Sequence, residues 1–306
     1  VLVICVIGEA LIDIIVDPTG YVRTSVVGGA PFNTARTCAR LGVPTSFLGG
    51  ISTDAFGSRM MEMLAADGLI YGLGHRLSQP STVAIAQLDQ DNAATYRFMF
   101  DNTAAASVTA QMALKALGAC TSIHVGTLGL VLEPLADATA AVVSSAGSEC
   151  MVMADPNCRP SVMGGSAAFA PTLPVVLDRA DVIKVSGDDL AYLYPSTEAL
   201  QAAQQLQQRA NAVVLFTDGS QAVRIITAGM PVTVPVPHVD VVDTVGAGDS
   251  FSGGFLAYWA HHGLDRAALA DIDLLTKATA FGVKVAGITC TRPGADPPHA
   301  SEIGAY

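Results

Sequence analysis

The chain reads as an α/β protein of three layers, α/β/α, with a mostly parallel central sheet and a small β-sheet lid. Three observations predict this. From Ser122 onward, short apolar runs alternate with stretches of helical periodicity, the pattern of a parallel sheet covered on both faces. Two hairpin-like pairs of strands break that alternation early, around Asp17-Pro18-Thr19-Gly20 and Gln90-Asp91-Asn92, with no helix to cover them. Finally, the Val- and Pro-rich run Val232–Val242 passes through a Gly-x-Gly turn into the apolar-periodic run Phe251, Phe255, Leu256, Tyr258, Trp259, which reads as strand, turn and helix.

In chain order, Val1–Ile7 is a buried strand. It lacks a basic flank and meets Glu9 and Asp13 at once, so it reads as core and not as a signal peptide. Ala10–Val16 and Tyr21–Val27 form the first lid hairpin. Gly28-Gly29-Ala30-Pro31 opens a helix, with Pro31 in the first turn and a stop at Gly42 and Pro44. Phe47–Ile51 is a strand, and Asp54 caps a Met-rich helix ending near Gly68. Thr82–Asp89 and Thr95–Phe100 complete the lid, which is inserted from about 10–28 and 82–101 into one domain spanning 1–306. Strands follow at Ser122–Val125, Met151–Ala154, Val182–Val185, Val213–Thr217 and Val223–Thr227, and helices at about 110–117, 134–146, 173–179, 187–194 and 197–209. Helices from Asp249 to His262, from about Asp265 and from Leu274 to Val285 close the chain.

Half of the 306 residues are hydrophobic, enough for a large core, and the formal net charge of −11 argues against nucleic acid or an anionic membrane as partner. The six cysteines are scattered without a CxxC pair or a nearby histidine, which suits buried thiols in a reducing cytoplasm. The longest uncharged stretch, Ala116–Leu132, is broken by glycines and polar residues, so no membrane span is expected. A Walker-type loop and a dinucleotide-binding glycine turn after the first strand are both missing from the sequence.

If a phosphate is handled, it is handled at Gly246–Asp249. Gly246 and Gly248 let backbone approach a ligand, and the first helical turn offers unpaired N–H groups to an anion. Asp249 is a poor binder beside an anion but a sensible base for a group attacking it. The same residues would also suit a plain glycine turn capped by an acid. Gly28 and Gly29 can present N–H groups to a hydroxyl, and Asn33 offers both a donor and an acceptor to a diol. An acid at the end of the first strand, within Gly8-Glu9-Ala10-Leu11-Ile12-Asp13, lies where the sheet opens. Arg159, in the turn Asp155-Pro156-Asn157-Cys158-Arg159, carries the planar fork that fits phosphate. Ser186 reads as a helix cap.

The string Asp243-Thr244-x-Gly246-Ala247-Gly248-Asp249-x-Phe251 resembles the second signature of the ribokinase, or PfkB, family of carbohydrate kinases, and Gly28–Gly42 resembles the first part of its pattern in fructokinase-like form. Phe32 and Thr34 replace smaller or aliphatic residues usual there. The resemblance covers nearly the whole chain and implies a ribokinase-like fold. It also implies ATP and Mg²⁺ as cofactors, with K⁺ optional. Asp249 would be the base, and the N–H groups of Gly246, Ala247 and Gly248, with Arg159, would stabilise the transferring phosphoryl group. Asp13, Gly28, Gly29, Asn33 and Phe100 would contact the sugar. Ser186, Thr217, Gly219 and Thr279 would line the nucleotide site, Asp189 would hold Mg²⁺ through water, and Asp243 with the loop Thr291–Ala295 would hold K⁺.

Fructose is the first substrate expected, 2-keto-3-deoxygluconate the runner-up, and ribose or a nucleoside comes after it. Fructokinase-like relatives, and those acting on 2-keto-3-deoxygluconate, carry Arg at the position of Asp101, so the acid there disfavours an acidic sugar and also bears on fructose. A catalytically dead sugar or nucleotide sensor is the alternative outside enzymes, favoured by the exchanges at Asp101, Ser186 and Thr279. Relatives pair through such lids, so a homodimer is a further expectation.

Overall fold

The computed structural model describes residues 4–90, 94–160 and 172–304. Asp91 and Asn92 of the expected second hairpin turn, and Val1–Val3 of the first strand, lie outside them. The central sheet has nine strands: β1 (Ile4–Ile7), β4 (Thr45–Leu48), β5 (Ile70–Tyr71), β8 (Ser122–Gly126), β9 (Met151–Asp155), β10 (Val182–Ser186), β11 (Val213–Thr217), β12 (Val223–Ile226) and β13 (Val232–Val234). Their spatial order is β13-β12-β11-β10-β9-β8-β1-β4-β5. All pair in parallel except β12 and β13, which turn back as an antiparallel edge. The strands are continuous apolar runs because both faces are covered. One face carries Val6, Phe47, Met153 and Leu215 against Phe32, Phe255 and Trp259. The opposite face carries Ile7, Ile123, Val152 and Val214 against Leu135, Val142 and Leu206.

β1 lies between β4 and β8, so the chain winds outward to opposite sides of it. Such a switch opens a crevice beyond the C-terminal strand ends. Above that crevice sits a separate four-stranded sheet, β3-β2-β6-β7, built from β2 (Leu11–Val16), β3 (Val22–Gly28), β6 (Val83–Leu88) and β7 (Ala94–Met99). β2 and β6 pair in parallel and join the two hairpins into the expected lid.

Local chemistry sets the helix starts. Pro31 occupies the first turn of α1 (Ala30–Arg40). Asp54 accepts the Gly57 N–H at the start of the helix Ala55–Ala66. Ser186 and Asp189 form a reciprocal capping box on the helix Gly187–Leu193.

One expected element is much shorter than the sequence suggests. The strand read over Val232–Val242 ends at Val234. Pro235 and Pro237 have no N–H to donate to a ladder, and Val242 and Asp243 donate theirs to Cys290 O instead. Val241 and Val242 are exposed. The segment from Asp265 is a 3₁₀ turn, Arg266–Ala270, and the last long helix runs further than expected, Ile272–Cys290. Among the described residues no helix is long and apolar enough to cross a membrane.

Candidate active site

A cleft of about 1920 Å³ lies between the lid and the strand ends. Asp249 stands in the first turn of the helix Ala247–His261 and is 8% exposed. Asn33 on α1 donates from Nδ2 to Asp249 Oδ2 at 2.9 Å, and Thr34 Oγ1 donates to the Asp249 carbonyl at 3.3 Å. Two stretches far apart in sequence thus meet at one carboxylate. Burial pushes the Asp249 carboxyl above its ordinary range, while the Asn33 hydrogen bond and the charges of Lys184 and Arg159 pull it down.

The turn before Asp249 can only be glycine. Gly246 has φ 77°, and a Cβ there would come within 2.6 Å of Ala295 Cβ. The first helical bond is Ser250 N–H to Gly246 O, at 2.8 Å. The Gly248 and Asp249 N–H groups therefore have no intrahelical carbonyl and are open to an anion. Ala247 differs from its expected role, because its N–H already donates to Thr244 O at 3.2 Å.

Lys184, to which the sequence reading gave no role, lies beneath this turn. It is buried in the middle of β10, pairs with Asp155 at 3.1 Å, and its Nζ is 2.9 Å from where a Gly248 Cβ would be. Burial opposes its charge, but Asp155, Asp189 and Asp249 outweigh that and raise its pKa. The signal was there to find: a lysine inside Val182-Ile183-Lys184-Val185, a strand buried on both faces, needs an anionic partner.

On the lid side, Asp13, Gly28 and Gly29 line the cleft. Gly28 packs against Asp13 Oδ2, and a Cβ on Gly29 (φ 106°) would meet Glu9 O at 2.6 Å. Burial lifts Asp13 to about 6, against the pull of Arg159. Glu9 also lines the cleft, a residue the sequence reading passed over in favour of Asp13. Asn33 Oδ1 is buried with no partner among the described residues, a vacancy that a ligand hydroxyl would fill. Phe100 falls elsewhere. It lines a separate pocket of about 540 Å³ with Asp101 and Glu133, and Phe98, two residues earlier, faces the cleft instead. Side chains alternate along a strand, and Phe98 shares the face of Asp13 through the pairings Asp13–Ala84 and Ala84–Phe98.

Arg159 lines the cleft, donates to the Asn157 and Cys158 carbonyls, and its charge reaches Glu9, Asp13 and Asp249. The turn carrying it is strained. Asn157 (φ 39°) and the β-branched Thr127 (φ 51°) both have left-handed backbone and share a hydrogen bond of 3.1 Å. On the other side, Ser186, Thr217 and Gly219 line the cleft. Asp189 is buried behind them. Its Oδ2 accepts the N–H and hydroxyl of Ser186, and its Oδ1 accepts Cys158 N–H at 2.6 Å. It therefore positions Ser186 and the Arg159 turn. Thr279 is fully buried between helices, and Val283, Ala286 and Gly287 of its helix form the cleft wall.

Asp243 and the loop Thr291–Ala295 do come together, with Asp243 accepting the Val245 and Gly294 N–H groups. Among the described residues no cluster of three His, Cys, Asp or Glu side chains could hold a metal ion.

A family model described as "pfkB family carbohydrate kinase" matches residues 2–302. A fructokinase of Rhizobium leguminosarum bv. trifolii is 34% identical over 255 residues, covering 82% of this chain and 77% of that protein. The structure is similar to that of a fructokinase from Xylella fastidiosa with bound ATP, with TM-score 0.84, 27% identity, and 98% and 96% of the two chains covered. It is also similar to an aminoimidazole riboside kinase from Salmonella enterica complexed with aminoimidazole riboside and an ATP analog, with TM-score 0.78, 25% identity, and 96% and 95% covered.

Proposed function

The chain belongs to the pfkB family of carbohydrate kinases, and we propose that it moves the γ-phosphoryl group of ATP onto a hydroxymethyl oxygen of a neutral ketose, with fructose the first substrate. The observation that carries this reading is Asp249, buried at the mouth of the glycine turn and hydrogen-bonded to Asn33 in a cleft large enough for two ligands.

Asp249 takes the proton of the sugar hydroxyl as that oxygen attacks phosphorus. The N–H groups of Gly248 and Asp249, together with Gly246, face the charge that builds on the phosphoryl oxygens, and Lys184 supports them from below. Arg159 adds a second cation on the sugar side. Ser186, Thr217 and Gly219 flank the nucleotide. Ser186, Thr217 and Asp249 offer oxygens to the cleft without a cluster of three carboxylates among the described residues, a donor set that fits Mg²⁺, an ion held mainly by phosphates and water. When bound it would neutralise phosphate charge, with Asp189 acting on it through Ser186 and water. Asp243 with the Thr291–Ala295 loop is the place for K⁺.

Fructose is supported by the fructokinases to which the chain is similar. The argument from Asp101 against an acidic sugar loses its footing, because Asp101 lines the other pocket. The riboside kinase likeness keeps a riboside as the second reading. The lid leaves Tyr21, Val22 and Met99 exposed, which supports a homodimer through it, and six free thiols support a cytoplasmic setting.

An ADP-release assay over fructose, ribose, a riboside and 2-keto-3-deoxygluconate, with the phosphosugar identified by mass spectrometry, tests the assignment. Fructose is expected to give the highest kcat/KM. Sugar binding without ADP from any of them would mean a sensor. Asp249→Asn is expected to bind sugar nearly as wild type, by calorimetry, and to turn over roughly 10²- to 10⁴-fold more slowly.

A further inference from the structure

Glu9 has no task in the transfer just described, yet it lines the same cleft. It lies two residues past the end of β1, at the switch point of the sheet, and is 1% exposed. Its Oε2 is buried without a hydrogen-bond partner among the described residues. The backbone on either side is fixed by tight packing, with Gly8 against Pro31 and the Glu9 carbonyl against Gly29.

The charges that reach it are Arg159, from the turn after β9, and Asp249, from the helix Ala247–His261; Asp13 of β2 lines the same cleft and feels the same two charges. Beneath them stand Lys184, Asp155 and His124 on β10, β9 and β8. Two carboxyls that feel each other in a buried site do not both ionise readily, and their surroundings decide which one does. Asp249 has the Asn33 amide, Lys184 and Arg159 to hold its charge. Burial dominates Glu9 and lifts it to about 8, against backbone N–H groups and Arg159. A neutral carboxylic acid is both donor and acceptor, and an orphan oxygen in a cleft shaped for a polyol is half of a hydrogen bond. Neutrality also spares the incoming nucleotide one more negative charge.

We infer that Glu9 works as a neutral carboxylic acid that donates a hydrogen bond to a sugar oxygen, a substrate contact beside the base. This rests on the sugar-kinase reading.

The test compares wild type, Glu9→Gln and Glu9→Leu with fructose and ATP. Gln keeps a donor and no charge, so its kcat and sugar KM should stay within about threefold of wild type. Leu removes the partner of a buried hydroxyl and should raise the sugar KM roughly tenfold or more, with the ATP KM unchanged. Wild-type sugar kcat/KM should fall as pH rises through about 8, the range of the Glu9 carboxyl, and Glu9→Gln should lose that limb. Infrared spectra at neutral pH should show a protonated-carboxyl band in wild type that Glu9→Gln lacks.

A Gln variant as impaired as Leu, a Leu variant equal to wild type, or no such band would each overturn the assignment. If Glu9→Leu does not fold, Gln and the infrared difference decide. Wild type that makes no ADP with any sugar would instead sink the kinase reading, and the infrared difference with sugar-binding calorimetry would then judge Glu9 by itself.

Discussion

On the proposed reading Asp249 is the base and Asn33 its counterweight. The Asn33 amide favours the ionised form of a carboxyl that burial would otherwise protonate. Asn33→Ala removes that help, so Asp249 should titrate higher still. The proposed transfer needs the carboxylate, so the acidic limb of kcat/KM should move to higher pH, and a pH–rate profile with the limb unmoved would mean that Asn33 does not tune the base. The sequence made this pair legible as two separate motifs, because each sits at a glycine turn opening a helix. That they touch was not legible, since 216 positions separate them. Lys184 and Glu9 were missed for a related reason. A charge inside an apolar strand, or just past its end, signals burial, but the partner that holds it is not readable until the fold is known. Phe100 was misplaced because β7 stops at Met99: it lies just past the strand end and lines the other pocket, while Phe98 on the strand lines the cleft.

The helix bearing Asp249 is held by glycines. Gly253 lies against Thr37 of α1, and Gly254 meets Gly282 of the helix Ile272–Cys290, with a Cβ at 254 falling 2.9 Å from Gly282 Cα. Gly254→Ala gains about 1 kcal/mol of helix propensity and loses about 1–3 kcal/mol to overpacking. The atom met is backbone, which cannot swing aside, so the loss prevails. The urea midpoint should drop and kcat should fall with it, as the helix is pushed off its seat; an unchanged midpoint would show that the contact tolerates a methyl group. Element types were legible because the strands are continuous apolar runs and the helices carry caps such as Asp54 and Ser186. The two-residue β5 and the four-residue helix Ala300–Ile303 are too short for periodicity to reveal. The prolines after Val234 were the available warning that the strand there would stop.

For the whole molecule, the lid is the part with unfinished surface. Tyr21, Val22 and Met99 are exposed on or beside a four-stranded sheet whose outer strands, β3 and β7, have no further strand partner among the described residues. Light scattering should give twice the 31.4 kDa chain mass, and Tyr21→Asp with Val22→Asp should return it to that mass while leaving the far cleft wall intact. A wild-type monomer at micromolar concentration would remove the lid pairing. The three-layer body and the lid were both legible from the order of elements alone, because the hairpins fall where the alternation of strand and helix lapses.

β3 ends at Gly28, and Gly29 alone separates it from the helix carrying Asn33. The roof of the cavity and the helix whose amide holds Asp249 are therefore one residue apart along the chain, so on the proposed reading a lid displaced by an arriving sugar would carry Asn33 with it.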